Sequence, residues 1–185
     1  MRTGKKRTSD TFPWVTTGLI VVNTFLALLW PLYYPKEQGH LLSALCFPAP
    51  EPYMWLAPLT FITSIFSHGS GRHLFWNMVF LGAFGIELER RLGRKRFLAL
   101  YMGLGLIANI PGFLGYLDPI RVRGGLGASG AICGLMGLYV VRCYFRSITY
   151  PIPLFPLPLF IRLRLNATTL CGMYFVWDMS GLIRG

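Results

Sequence analysis

Charged residues are scarce in this chain of 185 residues, and acidic residues are scarcer still. Only 14% of the residues are charged, and seven Asp and Glu stand against 18 Lys and Arg. Soluble domains carry about 25% charged residues, so the composition argues against a soluble enzyme. The positive excess could suggest nucleic-acid binding, but the basic residues cluster at the ends of apolar stretches. That distribution is typical of orientation signals in membrane proteins, and we expect no nucleic-acid partner.

The sequence also lacks the cysteine and histidine patterns that bind metals. Its four cysteines form no Cys-x-x-Cys pair: Cys46, Cys133, Cys143 and Cys171. The absence of that pair disfavours a zinc or redox site, and the absence of a His-Glu-x-x-His motif disfavours a zinc protease. The sequence therefore predicts neither a metal nor a cofactor.

Apolar residues are abundant instead, at 54% of the chain, with a mean hydropathy of +0.50. The stretch from Trp14 to Tyr34 carries no charge, and about 20 apolar residues suffice to span a bilayer. A cleaved signal peptide has a shorter apolar core and a small-residue cleavage site, neither of which is present here. We expect a basic cytoplasmic N-terminus over residues 1–12, followed by a membrane domain over residues 13–185.

Four further apolar segments are predicted to be transmembrane helices. Their approximate bounds are Gly71 to Leu88, Phe97 to Tyr116, Leu126 to Val141, and Leu165 to Met179. Leu56 to Phe66 is apolar but short, which favours a segment in the membrane interface. Tyr150 to Phe160 is too rich in proline for a helix interior and is predicted to be extended. The predicted fold class is all-α, a polytopic membrane helical bundle with five transmembrane helices.

The distribution of Lys and Arg predicts the orientation of this integral membrane protein. With a cytoplasmic N-terminus, the inner segments 1–12, 90–96 and 142–164 hold four, five and four of these residues, thirteen in total, against five outside. This difference satisfies the positive-inside rule. The loop 35–70 is then outside, and Ser129 lies toward the outer half of the fourth helix.

Ser129 lies in the small-residue segment Gly127-Ala128-Ser129-Gly130-Ala131. A reactive polar group at membrane depth is a functional candidate, but serine in such a segment also serves helix packing, and Gly130 with Gly134 forms a small-xxx-small pair. The two interpretations are compatible. The nucleophile elbow of soluble hydrolases is not matched, because residue 131 is alanine.

His73 and Asn77 are four residues apart, so a helix places them on one face. An imidazole and a carboxamide that point the same way can donate hydrogen bonds to a developing oxyanion. They can equally bond to each other or to neighbouring helices, as polar residues in membrane bundles often do. The pair alone leaves both roles open.

The order of these motifs is more specific than any one of them. His73-x-x-x-Asn77 is preceded by Thr63-Ser-Ile-Phe-Ser-His-Gly69 and followed by Glu89-Arg-Arg-Leu-Gly93 and then by the Ser129 segment. Over about residues 14–179 the chain resembles the rhomboid family of intramembrane serine proteases.

The resemblance implies a six-helix bundle that cleaves transmembrane protein substrates near the outer membrane face, with the lipid bilayer as its surroundings. It implies that Ser129 is the nucleophile, and that His73 and Asn77, with the Ser129 N–H, bind the oxyanion. It also implies a structural role for Glu89, which would tie the second helix to its cytoplasmic loop.

The general base of the family is a histidine on a sixth helix, and no histidine follows Ser129 in this sequence, whose three histidines are His40, His68 and His73. One interpretation is a truncated form of an active protease; the other is an inactive rhomboid-like protein that binds transmembrane clients. We favour truncation, because the other catalytic elements are intact and the break falls between elements. A small transporter or scaffold would need a polar pathway or a repeat, and the sequence contains no internal repeat.

Overall fold

A computed structural model of the chain describes residues 12–33, 57–117, 127–143, 147–154, 159–166 and 168–174. The chain divides into two compact units, Met1–Leu135 and Met136–Gly185. The helices are α1 (Trp14–Tyr33), α2 (Ala57–Thr63), α3 (Gly71–Phe80), α4 (Ile86–Leu92), α5 (Arg94–Leu117), α6 (Ser129–Cys143) and α7 (168–174). A 3-10 turn, Ser64–Phe66, follows α2, and a π-helical segment, Leu81–Gly85, joins α3 to α4.

The first four predicted transmembrane segments coincide with helices of the structure, and the short apolar segment from Leu56 contains α2. The predicted second helix is a continuous helix over residues 71–92 with the π segment inside it. All five residues of that segment are buried. A Cβ atom built on Gly85 would lie 3.0 Å from Thr16 Cγ2 and 3.1 Å from Phe97 Cζ, so the π segment packs closely against α1 and α5.

Local sequence signals set the ends of the helices around the π segment. The hydroxyl of Ser70 caps α3 by accepting a hydrogen bond from the His73 N–H at 3.2 Å, as serine at this position commonly does. Gly93 ends α4 with φ +83°, a conformation that glycine adopts without steric cost. Its N–H donates to the Glu89 carbonyl at 2.8 Å, and α5 begins at the next residue.

Glu89 has a different partner from the cytoplasmic loop that the resemblance implied. Its carboxylate accepts hydrogen bonds from the Val15 N–H at 3.0 Å, the Thr16 N–H at 2.7 Å and the Thr16 hydroxyl at 2.8 Å. The first N–H groups of a helix have no acceptor inside the helix, and an anion is favoured at this positive end. Glu89 therefore ties α4 to the N-terminus of α1.

The small-residue pair of α6 allows a close approach to α5. A Cβ atom built on Gly130 would lie 2.2 Å from the Ala108 Cβ, and one on Gly134 would lie 2.6 Å from Leu104 Cδ2. These separations leave no room for a side chain, because real Cβ contacts are longer. The prediction that Gly130 and Gly134 serve helix packing is confirmed.

The second unit contains an antiparallel hairpin of β1 (Ser147–Leu154) and β2 (Leu159–Asn166), in register from Ser147–Asn166 to Leu154–Leu159. The hairpin agrees with the prediction of an extended segment from Tyr150, but it is an element that the all-α class did not include. The predicted fifth helix is wrong at its start, because Leu165 lies in β2, where arginine and apolar residues alternate with the period of a strand. The described helix in that region, α7, covers 168–174.

No helix within the described ranges combines the length and the apolar character that crossing a membrane requires. The count of five transmembrane helices therefore stays a prediction. The structure does not describe the predicted cytoplasmic segment at the N-terminus or most of the loop 35–70, apart from residues 12 and 57–70.

Candidate active site

The three predicted site residues lie on two helices in the first unit. Ser129 is the first residue of α6 and is half-buried. His73 lies in the first turn of α3 and is half-buried, and Asn77 lies one turn later and is fully buried. The helical spacing of His73 and Asn77 agrees with the prediction that they share one face.

Gly127, two residues before Ser129, lies against both of these α3 side chains. A Cβ atom built on Gly127 would lie 3.0 Å from His73 Cε1 and 3.5 Å from Asn77 Nδ2. The same atom would lie 3.1 Å from the Ser67 carbonyl oxygen. Gly127 has φ +102°, so this turn needs glycine both for its conformation and for the close approach.

The turn before α6 is fixed to the 3-10 turn that follows α2. The Gly127 N–H donates to the Ser64 carbonyl oxygen at 2.8 Å, and the same oxygen accepts the Ser67 N–H at 3.1 Å. Ser64 is fully buried. The backbone leading into Ser129 is therefore held by a hydrogen bond on one side and by the α3 side chains on the other.

Ser129 lies at the positive end of α6. The Ile132 N–H donates to the Ala128 carbonyl oxygen at 2.9 Å, which is the first bond of the helical ladder. The N–H groups of the first turn, including that of Ser129, have no acceptor within the helix. Backbone N–H groups at a helix N-terminus favour negative charge, so an oxyanion formed beside Ser129 would be stabilised there.

His68 is a neighbour of the site that the sequence analysis quoted within a motif but gave no role. Its ring lies 5.3 Å from the His73 ring, centroid to centroid, at an interplanar angle of 62°. Its Nδ1 is 3.3 Å from the Phe66 carbonyl oxygen. Burial in the loop before α3 lowers the pKa of His68 to about 4, a positive charge on His73 adds to this, and the bond to Phe66 acts in the opposite direction. His68 is therefore a neutral imidazole and a weak base near neutral pH.

Among the described residues, no three His, Cys, Asp or Glu side chains are placed to hold a metal ion together. The polar atoms near Gly127 include the Asn77 Nδ2, the Ser67 carbonyl oxygen and the Ser64 carbonyl oxygen, with the His73 ring beside them. Such a set offers hydrogen-bond donors and acceptors for a polar reacting group. The predicted absence of a cofactor stays a prediction.

Comparison with known proteins places these residues within one conserved domain type. The family model described as "Rhomboid domain" matches residues 56–183, which is more than half of the chain. The protein YdcA of Bacillus subtilis is 42% identical over 87 residues, covering 46% of this chain and 42% of YdcA. Human presenilin-associated rhomboid-like protein, mitochondrial, is 32% identical over 116 residues, covering 63% of this chain and 29% of that protein.

Rhomboid-like protease 3 of Toxoplasma gondii is 30% identical over 126 residues, covering 67% of this chain and 45% of that protease. The matches thus span less than half the length of each of these curated relatives.

Proposed function

The chain belongs to the rhomboid family, whose members are integral membrane proteins, and on that premise we propose that it carries the nucleophile and the oxyanion site of an intramembrane serine endopeptidase. Its substrates are transmembrane proteins, which are cleaved near the outer membrane face. The observation that carries the proposal is the contact of Gly127 with His73 and Asn77, two residues before Ser129.

In this proposal Ser129 Oγ attacks the carbonyl carbon of the scissile peptide bond. Negative charge then develops on the carbonyl oxygen and is stabilised by the Ser129 N–H, the His73 ring and the Asn77 carboxamide. Donors that are already in place when charge develops lower the barrier, and removing one such donor costs about 10²–10³ in rate. The burial of Asn77 supports this role, because burial strengthens an electrostatic interaction.

The attack also needs a base that accepts the Ser129 proton. Among the described residues, the histidines near the site are His68 and His73. The pKa of His68 near 4 makes it a weak base, and His73 is assigned to the oxyanion. The proposal therefore assigns the base to none of the described residues.

Contact with lipid is the second part of the proposal. Large apolar side chains on α1 and α5 are exposed: Val21, Phe25 and Leu28 are 60%, 59% and 70% exposed, and Ile107 is 63% exposed. Exposed apolar surface of this kind marks a membrane or protein contact. We assign it to lipid acyl chains, in a multi-pass arrangement with a cytoplasmic N-terminus.

The alternative function is an inactive rhomboid-like protein that binds transmembrane clients. The low pKa of His68 favours it, because a serine without an effective base loses most of its activity. Both functions act on transmembrane proteins and differ in whether Ser129 ever reacts.

The test uses two proteins, the 185-residue chain and the histidine-extended chain, in which Gly185 is joined to a transmembrane helix that carries a histidine. We expect the histidine-extended chain to cleave a transmembrane reporter in proteoliposomes and to react with a fluorophosphonate probe at Ser129. The 185-residue chain should do neither, because it lacks the base.

Site variants of the histidine-extended chain assign the roles. Ser129→Ala should abolish cleavage, whereas His73→Ala and Asn77→Ala should each lower it by about 10²–10³. Ile107→Ala, an exposed position on α5, is the matched control and should cleave at the parent rate. Cleavage that survives Ser129→Ala would rule out the peptidase assignment, and robust probe labelling of the 185-residue chain would show that another base had been recruited.

A further inference from the structure

Asn109 is a buried polar residue on α5, 6% exposed. Its Nδ2 donates to the Phe61 carbonyl oxygen at 2.8 Å and to the Ser64 hydroxyl oxygen at 2.8 Å. Burying a carboxamide is costly unless it is hydrogen-bonded. These two bonds join the middle of α5 to the end of α2 and the 3-10 turn, more than 40 residues away in sequence.

Ser64, which Asn109 binds, also binds the turn before Ser129. The Ser64 hydroxyl accepts from Asn109, while the Ser64 carbonyl oxygen accepts from the Gly127 N–H at 2.8 Å. Ser64 is completely buried, so these two bonds do not compete with bulk water. A continuous path of hydrogen bonds therefore leads from Asn109 through Ser64 to Gly127.

The neighbours of Asn109 on α5 contact the same two segments. Ala108 meets the backbone of α6 at Gly130, where a built Cβ atom would lie 2.2 Å from the Ala108 Cβ. One turn earlier, a Cβ atom on Gly105 would lie 2.8 Å from Ile65 Cδ1. α5 thus abuts the 3-10 turn through Gly105 and Asn109 and the first turn of α6 through Ala108.

We propose that Asn109 is a positioning residue for the turn that presents Ser129. It contacts no reacting group and acts through Ser64, whose carbonyl sets the position of Gly127 between the 3-10 turn and His73. The proposal rests on the proposed function for the importance of Ser129, but the coupling from Asn109 to Gly127 is a property of the fold and is measurable without cleavage.

The two roles available to Asn109 predict different patterns of change. A merely structural residue, when replaced, would lower the stability of the first unit as a whole. A positioning residue would loosen the Gly127 N–H and change the surroundings of residue 129, while α1 stays as protected as before. The useful readouts are therefore local to residues 127 and 129.

The experiment uses Asn109→Leu in the full chain in detergent micelles. Leucine has a similar volume and cannot donate. Amide hydrogen exchange, resolved to Gly127 by fragmentation mass spectrometry, should become at least about fivefold faster, the effect of losing one typical hydrogen bond. Exchange across α1 should not change.

The second readout is the pH profile of alkylation by iodoacetamide at position 129 in the Ser129→Cys variant. A thiol at a helix N-terminus has a lowered pKa, so displacement of the turn by Asn109→Leu should move the midpoint to higher pH. Fragmentation separates this site from Cys133. Ile107→Ala, on the exposed side of α5, should leave both readouts unchanged.

Ser64→Ala is the second variant, and it keeps the proposal testable if Asn109→Leu does not fold. It removes the hydroxyl that Asn109 binds and keeps the carbonyl that binds Gly127, so we expect the same changes at 127 and 129 in smaller measure.

Unchanged exchange at Gly127 together with an unchanged alkylation profile, in whichever of the two variants fold, would overturn the proposal. So would a uniform rise in exchange that includes α1, because that result describes a structural residue. Neither outcome bears on whether Ser129→Ala abolishes cleavage, so failure here and failure of the peptidase assignment are distinguishable.

Discussion

Replacing Gly127 by alanine tests whether the turn before Ser129 is held against α3. Gly127 has φ +102°, and a side chain in such a backbone conformation costs about 1–3 kcal/mol. The new methyl group would also lie 3.0 Å from the His73 ring and 3.1 Å from the Ser67 carbonyl oxygen. Relieving an overpacked contact typically costs a further 1–3 kcal/mol, roughly.

Gly93 offers a matched control for the backbone part of this effect. It has φ +83°, and no atom lies within 4 Å of the position that its Cβ would take. Gly93→Ala should therefore cost about 1–3 kcal/mol of unfolding free energy from the backbone alone. The difference between the two variants measures the contact of residue 127 with His73 and Ser67.

The assay combines equilibrium unfolding in detergent micelles with the rate of fluorophosphonate labelling at Ser129 in the histidine-extended chain. Gly127→Ala should unfold more easily than Gly93→Ala and label about 10²-fold more slowly, the effect of a misplacement near 1 Å. Gly93→Ala should label at the parent rate. Equal losses of stability and equal labelling in the two variants would show that Gly127 does not lie against His73.

Three further predictions concern other parts of the chain. Glu89→Gln should lower the unfolding free energy by about 1–3 kcal/mol, because the amide nitrogen cannot accept the α1 N–H groups. The control is Glu87→Gln, which breaks an exposed pair with Arg91. It should lower the unfolding free energy by no more than about 1 kcal/mol. The pKa of His68 is lowered in the folded state to about 4, so the neutral ring favours the folded protein. The unfolding free energy is therefore highest above about pH 6.5 and falls as the pH drops toward 4. His68→Gln should flatten the dependence of the unfolding free energy on pH in that window. Cysteine-accessibility labelling should place residues 90–96 in the cytoplasm, and an external location would reverse the predicted topology.

The helices of the first unit were largely predictable from the sequence, because each predicted segment is a run of apolar residues bounded by charge or glycine. The π segment at Leu81–Gly85 was not, since one extra residue in a helical turn leaves no mark on an apolar run. The hairpin was recognisable only as an extended segment from its prolines. The predicted fifth helix overlaps the end of its second strand at Leu165 and Asn166, although Arg162 and Arg164 alternate with apolar residues as in a strand.

Around Ser129, too, the local features could be predicted from the sequence and the long-range contacts could not. His73 and Asn77 were found because four-residue spacing gives a shared helix face, which is a local property. The bonds from Asn109 to Ser64 and from Glu89 to Thr16 join residues 45 and 73 positions apart. Such pairings depend on how the helices pack, and neither propensity nor periodicity specifies them.

The small-residue segment around Ser129 allowed two interpretations, helix packing and catalysis, and the structure bears on the first. Gly130, directly after the serine, serves the contact with Ala108 of α5, whereas Gly127, two residues before it, serves the contact with His73 of α3. Each contact brings a side-chain atom of a neighbouring helix, the Ala108 Cβ or the His73 Cε1, close to the glycine backbone. The backbone on each side of Ser129 is therefore packed closely against a neighbouring helix. Under the proposed function, the presence of a base decides between a protease and a client-binding protein.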